Sequence, residues 1–291
     1  MATSKLVVGC GYLGLRVARA WLENGDDVYA LTRSPSRATQ LSELGLHAVV
    51  GDVTRGESLA ELPASATVLY AVGYDRTAEA SMREVYVEGL RNVLAALHDD
   101  SPRVIYVSST SVYGQSDGQC VDERSPCVPV TEGGRICLEA EQLLRSDVLG
   151  SHCTILRMAG LYGPGRVPRI AALRAGEPIA APRLGYMNLI HIDDAAAVVL
   201  AAERPTASDL YVVTDGHPVQ RGDYYTELAR LISAPPPRFV EPPADHPAVQ
   251  RARSSKQVSN RLMLDELGVE LMYPSYREGL AAIVAEEGSS Q

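Results

Sequence analysis

Three glycines near the amino terminus have the most informative spacing in the chain. Gly9, Gly11 and Gly14 stand in G-x-G-x-x-G order, after an apolar run and before a segment of helical periodicity. The first glycine suits a tight turn, the second lets the backbone approach a pyrophosphate, and the third lets the helix pack on the strand. Glycines that merely turn the chain are the alternative. The residues predicted to bind a dinucleotide here are Gly9, Cys10, Gly11, Tyr12, Leu13 and Gly14.

A second group of polar residues follows the next apolar strand pattern. A site for NAD normally has an acidic residue there to bind the ribose hydroxyls. This chain has the neutral Thr32, followed by Arg33, Ser34 and Arg37. Guanidinium groups bind phosphate whereas a carboxylate repels it, so the sequence favours NADP over NAD, unless both arginines are ordinary surface charges. Asp52, just past the third strand pattern, is a candidate acceptor for the adenine amino group.

Alternating patterns along the chain predict the elements that position these residues. The expected strands cover 6–9, 27–31, 48–51, 67–72, 104–108 and 153–157. Helical periodicity between them predicts helices over 12–24, 36–43, 79–98 and 132–149. Such alternation is typical of βαβ units, so the predicted fold class is α/β, a Rossmann doubly wound parallel sheet with a smaller C-terminal substrate lobe. Prolines become frequent further on. We therefore predict an NADP-binding domain over 1–160 and a substrate-binding lobe over 161–291, with crossing of the chain between them allowed.

Composition excludes several classes of protein. The chain has 291 residues, 46% of them hydrophobic, and a net charge of −9. No basic surface for nucleic acid is expected from this balance, and no apolar run approaches the ~20 residues of a membrane span. The five cysteines include no Cys-x-x-Cys pair, which argues against both a disulfide framework and a metal site. With no signal-peptide core at the start, a cytoplasmic location is expected.

Several patches, in one order along nearly the whole chain, resemble the short-chain dehydrogenase/reductase superfamily. The similarity is to its extended NAD(P)-dependent epimerase/dehydratase type. Besides the glycine turn, the patches are GDV at Gly51–Val53, YAVG at Tyr70–Gly73, EGLRNVLAAL at Glu88–Leu97, VIYVSSTSVYG at Val104–Gly114, ILRMAGLYGPGR at Ile155–Arg166 and NLIHIDDAA at Asn188–Ala196. The resemblance implies a catalytic hydroxyl at Ser109, with Thr110 and Ser111 on the substrate side. The further cofactor contacts that it implies are Val53, Ala71, Val72, Gly73 and Ser108.

The chain departs from this family at the catalytic Tyr-x-x-x-Lys pair. Alignment on Glu141 puts Gly133 at the tyrosine position and Cys137 at the lysine position. The resemblance is therefore to an atypical subgroup that lacks the pair. In the family the tyrosine exchanges a proton with the substrate oxygen while the lysine lowers its pKa. Tyr113 and Tyr162 are the candidate replacements, although packing alone would also explain Tyr113.

Two functional hypotheses follow from these observations. The first is an NADP-binding epimerase-, dehydratase- or reductase-like enzyme that moves a hydride to or from a small polar substrate, such as a nucleotide sugar. Arg166 and Arg169 are its expected anion contacts, with Tyr162 beside them on the substrate side. The second is a catalytically degenerate NADP(H) sensor or scaffold. The resemblance to this family also implies a homodimer as a possible state.

Overall fold

A computed structural model of the protein describes residues 2–97, 102–204, 208–242 and 255–289, together with Val249. Within this part of the chain the strands, in order, are β1 (Ser4–Val8), β2 (Asp27–Thr32), β3 (His47–Val50), β4 (Thr67–Tyr70), β5 (Arg103–Ser109), β6 (Cys120–Val121), β7 (Cys153–Met158), β8 (Gly160–Tyr162), β9 (Ile179–Ala180), β10 (Tyr186–Met187), β11 (Leu189–His191), β12 (Leu210–Val213), β13 (Val219–Gln220), β14 (Phe239–Val240) and β15 (Gln257–Val258).

The helices alternate with the strands of the first half and dominate the end of the chain. The α-helices described are α1 (Gly14–Glu23), α2 (Pro35–Glu43), α3 (Gly89–Leu97), α4 (Glu132–Ser146), α5 (Ile170–Arg174), α6 (Ile192–Ala201), α7 (Arg221–Leu231), α8 (Arg261–Leu267) and α9 (Tyr276–Ser289). A π-helical turn, Glu84–Glu88, leads into α3. Short 3-10 turns cover Gly56–Leu59, Thr110–Val112 and Val148–His152. None of the described helices is long and apolar enough to cross a membrane.

One seven-stranded sheet combines the first five strands of the chain with β7 and β12 from its second half. Its strands lie in the order β12-β7-β5-β4-β1-β2-β3. The ladders β1 to β2, β2 to β3, β1 to β4 and β4 to β5 are all parallel. The Rossmann fold class predicted from the sequence is therefore confirmed. The strand order reverses between β1 and β4, which is where ligands bind in open sheets of this kind, beside the carboxyl ends of the strands.

The chain divides into two compact units, each assembled from separate segments. The first unit comprises Met1–Ser109, Arg135–Arg157 and Ala196–Tyr211, and the second comprises Thr110–Gly134, Met158–Ala195 and Val212–Gln291. In the first unit, apolar side chains from β1, β4 and β5 pack against those of α3 and α4. In the second, a separate apolar cluster gathers around α7 and α9. Each unit therefore has a core of its own.

Candidate functional site

The glycine turn of the first unit lies directly against the end of β4. Gly9 has a φ of 96°, and a Cβ at this position would lie 2.6 Å from the carbonyl carbon of Ala71. Any larger residue would strain the backbone at position 9 and collide with the backbone of Ala71. The Ala71 N–H donates to the carbonyl of Val8 at 2.8 Å, which ties the two loops together. Gly9 thus brings the turn and residues 71–73 to the same edge of the sheet.

Gly11 has the opposite surroundings. It is exposed, and a Cβ built on it would meet no atom within 4 Å. Helix α1 then begins at Gly14, and its first turn has neither a side-chain cap nor an acidic residue. Such a helix start presents N–H donors and the positive end of the helix dipole to an anion. An open backbone at Gly11 beside this helix start is the arrangement that a pyrophosphate needs, so the residues present fit a dinucleotide.

Two side chains within the turn add to its electrostatic character. Burial raises the pKa of the Cys10 thiol to about 11, so this group stays neutral beside an anion. The Arg16 guanidinium lies over the Tyr12 ring at 4.6 Å and donates to the Tyr12 carbonyl at 3.0 Å. Sequence reasoning missed Arg16, although its position one turn into α1 was a usable signal. The turn therefore carries a fixed positive charge in addition to its N–H groups.

The residues predicted to recognise a 2′-phosphate lie together at the end of β2. Ser34 caps α2 by accepting a hydrogen bond from the Arg37 N–H at 3.3 Å. The Arg37 guanidinium donates to Gln40 at 2.9 Å. Arg33, with 51% of its side chain exposed, lies 3.6 Å from Asp75. A phosphate would compete with this carboxylate for Arg33, because both anions bind the same guanidinium face.

Asp52 and Val53 continue this edge past β3. One carboxylate oxygen of Asp52 accepts hydrogen bonds from the Thr54 N–H at 2.9 Å and hydroxyl at 2.8 Å. Val53 is buried against Gly89, where a Cβ would lie 2.8 Å from a Val53 methyl carbon. Asp52 is half-buried, and its position at the end of β3 is compatible with the predicted adenine contact.

A buried polar network that sequence reasoning missed stands behind the end of β5. The Arg157 guanidinium donates to both oxygens of Glu141, with its closest hydrogen bond at 2.6 Å, and both side chains are almost fully buried. The Ser108 hydroxyl donates to Glu141 at 2.5 Å. The available signal was Arg157, the one charged residue in the mostly apolar run of β7. The network links Ser108, the residue before Ser109 near the end of β5, to helix α4 and strand β7.

The place of the family's catalytic pair is apolar in this chain. Gly133 lies in the first turn of α4, and Cys137, one turn further, is a buried thiol that forms no disulfide within the described part of the chain. Burial and the neighbouring Cys137 raise the pKa of Tyr106 well above its usual value. Cys137 therefore packs beside the aromatic side chains of this unit.

The predicted substrate-side residues belong to the second unit, apart from Ser109. Thr110 and Ser111 form a 3-10 turn and are half-buried. Tyr113 has no exposed surface, and its N–H donates to the Thr110 carbonyl at 3.2 Å. Arg166 and Arg169 are exposed, and Arg169 has a φ of 60° at the start of α5.

Tyr162 also lies deep inside the second unit. It has no exposed surface, and its hydroxyl donates to the Ser275 carbonyl at 3.5 Å. Its ring contacts Gly279, where no side chain would fit. The described geometry gives this tyrosine a packing role, whereas its predicted substrate contact stays a prediction.

Comparisons with known proteins agree with this fold. The family model for the NAD dependent epimerase/dehydratase family matches residues 5–213. A solved structure from Methylobacillus flagellatus, assigned to the NAD-dependent epimerases/dehydratases, is 32% identical, covers 99% of this chain and 100% of its own, and has a TM-score of 0.78. Protein YeeZ of Escherichia coli K12 is 29% identical over 92% of this chain and 95% of its own. The 3-diazoavenalumate denitrifying reductase of a Streptomyces species is 27% identical over 94% of this chain and 98% of its own.

Proposed function

We propose that this chain, which belongs to the NAD dependent epimerase/dehydratase family, is a reductase- or epimerase-type enzyme that uses NADP. The observation that carries the proposal is the open backbone at Gly11 beside the uncapped start of α1. The neutral Thr32 and the two arginines after it favour NADP over NAD, because they can bind a 2′-phosphate that an acidic residue would repel.

Each group of residues has a defined part in this proposal. The glycine turn, with Cys10, Tyr12 and Leu13, holds the pyrophosphate, while Thr32, Arg33, Ser34 and Arg37 hold the 2′-phosphate. Asp52 and Val53 contact the adenine, and Ala71, Val72, Gly73 and Ser108 line the path to the other end of the dinucleotide. When bound, the nicotinamide would supply a hydride to a carbonyl carbon or accept one from a carbinol carbon.

The substrate in this proposal is a small polar molecule with a carbonyl or carbinol carbon. Ser109, at the end of β5, hydrogen-bonds the reacting oxygen, and Thr110 and Ser111 extend this polar surface. The exposed Arg166 and Arg169 suit an anionic group such as the phosphates of a nucleotide sugar. A relative from Stigmatella aurantiaca that is named as a ketoreductase, 28% identical over 76% of this chain and 70% of its own, supports carbonyl chemistry as the first class to examine.

Substrate turnover tests the catalytic part of the proposal. NADPH consumption would be measured with a panel of carbonyl compounds and oxidised nucleotide sugars, for the wild type and for Ser109→Ala. We expect turnover that falls about 100-fold or more in the variant, the size of one positioned catalytic group. Equal rates in both proteins would contradict the role of Ser109. NADPH binding without turnover of any compound would favour the sensor hypothesis.

A further inference from the structure

Tyr86 occupies an unusual position in the helix that precedes α3. It lies in the middle of the π-helical turn Glu84–Glu88, between the buried residues Val85 and Val87, and is itself half-buried. A π-helical turn holds one residue more than an α-helical turn, and such turns frequently mark functional sites because they redirect a side chain. The extra residue here places a phenol among the apolar side chains of the first unit.

The Tyr86 hydroxyl is fixed at the carboxyl edge of the sheet. Its oxygen accepts a hydrogen bond from the Tyr74 N–H at 3.1 Å, and the two rings meet edge to face with centroids 6.5 Å apart. Tyr74 directly follows Gly73, in the loop after β4 that the glycine turn contacts through Ala71. Because the Tyr86 oxygen accepts this bond, its own O–H stays able to donate to another group.

The surroundings of Tyr86 connect it to strand β5, because it packs against the apolar cluster that contains Tyr106. Burial and the nearby Cys137 thiol raise its pKa, whereas the hydrogen bond from Tyr74 lowers it. The pKa of Tyr106 is raised by burial and, to a smaller degree, by the nearby Cys137, Glu141 and Tyr86. Glu141 in turn holds the hydroxyl of Ser108, the neighbour of Ser109. The phenol therefore lies beside the loop after β4 and against the apolar cluster that contains Tyr106 of β5, the strand adjacent and parallel to β4.

We propose that Tyr86 is the proton donor and acceptor of this chain. The inference rests on the proposed function. In the reducing direction, the carbonyl carbon gains a hydride from the reduced nicotinamide, the carbonyl π bond breaks, and the oxygen takes the proton of the Tyr86 hydroxyl. The phenolate that remains is stabilised by the Tyr74 N–H and regains its proton from water. In the oxidising direction the alcohol proton passes to the phenolate, and the same groups act in reverse.

A fluorine label at one position tests this location without measuring turnover. The protein would carry 3-fluorotyrosine at position 86 alone or, as the matched control, at position 29, where the half-buried Tyr29 stacks on His47 at 4.9 Å. We expect saturating NADP⁺ to shift the fluorine resonance at position 86 and to lower the pH at which that phenol ionises, since the oxidised ring is positively charged. Position 29 should show neither change.

The outcomes separate the inference from the function on which it rests. NADP⁺ binding that leaves the resonance at position 86 unmoved would overturn the role of Tyr86 alone. If neither NADPH nor NADH bound, the proposed function would be overturned, and the inference with it. Tyr86→Phe and Tyr29→Phe then provide the kinetic comparison with any compound that is turned over. We expect the first to lose about 100-fold or more of the turnover rate while keeping its affinity for NADPH, and the second to match the wild type.

Discussion

Arg157 and Glu141 form a buried ion pair in which the guanidinium bonds both carboxylate oxygens, the closest at 2.6 Å. The side chains are 6% and 2% exposed. The pair also receives the Ser108 hydroxyl, so it fixes the end of β5 where Ser109 begins the predicted catalytic segment. A buried charged network in the first unit thus holds the end of β5 in place.

Breaking this pair should cost much of the protein's stability. Glu141→Gln leaves the Arg157 charge buried without its partner, so the free energy of unfolding should fall by about 3–5 kcal/mol. The exposed pair of Arg261 and Asp265 provides the control, because Asp265→Asn should change the free energy of unfolding by less than about 1 kcal/mol. Urea unfolding curves would measure both. Equal effects of the two variants would contradict a structural role for the buried pair.

The first two glycines of the turn should respond differently to a methyl group. Gly11→Ala adds a Cβ to open space, so it should leave the thermal stability nearly unchanged while weakening nucleotide binding about tenfold or more. Gly9→Ala adds a Cβ that collides with the Ala71 backbone, at a positive φ that alanine rarely adopts. It should therefore lower the free energy of unfolding by more than about 1 kcal/mol. Melting temperature and NADPH affinity would be measured together. A Gly11→Ala protein with unchanged affinity would contradict the pyrophosphate assignment.

Cofactor preference should depend on Arg33. Arg33→Asp replaces a phosphate-binding group by one that repels phosphate, which should weaken NADPH binding about 10- to 100-fold and leave NADH binding equal or tighter. Arg124→Asp makes the same charge change at an exposed arginine of the second unit and should alter neither affinity. Calorimetric titration of the wild type and both variants with NADPH and NADH would give the six dissociation constants. A uniform loss for both nucleotides in Arg33→Asp would point to general charge instead of 2′-phosphate recognition.

Asp215 should give the protein a distinctive pH dependence. It is 3% exposed, and burial raises its pKa to about 7, although the His217 N–H donates to it at 2.9 Å. The folded protein then keeps a proton that the unfolded chain loses above about pH 4, so stability should fall as the pH rises from about 4 to about 7. Asp215→Asn should remove this fall. Thermal unfolding across the window would show it, and identical slopes for both proteins would contradict the assignment.

Lys256 should titrate well below an ordinary lysine. Burial lowers its pKa to about 8, so stability should rise as the pH increases from about 8 to about 10, where only the unfolded chain still binds the proton. The chain has only Lys5 and Lys256, and Lys5 forms an ion pair with Glu203. Isotope-labelled lysine followed by NMR therefore gives two signals, and Lys5→Arg assigns them. A midpoint near about 10.4 for Lys256 would contradict this prediction.

Local patterns predicted the sheet better than they predicted the site. The strands from β1 to β5 and β7 begin and end within about two residues of the predicted ranges, because each is a short apolar run beside a glycine or a polar turn. β12 was missed, since it joins the sheet beside β7 from far along the chain. The expected helix over 79–98 includes the π-helical turn, which a period of 3.6 residues does not reveal, and its last residue lies outside the described part of the chain.

Tertiary contacts determine what the patterns left open. The partnership of Glu141 with Arg157 and the hydrogen bond from Tyr74 to Tyr86 join residues from different elements. Tyr162 has the residue type of a proton donor, yet its packing on Gly279 follows only from the folded second unit. Residue type and spacing thus located the glycine turn, whereas three-dimensional contacts were needed to single out Tyr86.

Nucleotide binding is the most direct test of the account. Purified protein freed of nucleotide would be titrated with NADPH and NADH, with nicotinamide fluorescence and melting temperature followed in the same samples. The account predicts saturable binding that is tighter for NADPH, raises the melting temperature and enhances the fluorescence. If neither NADPH nor NADH bound, this account would be contradicted, because the open turn at Gly11 would then have no ligand of the kind that its geometry fits.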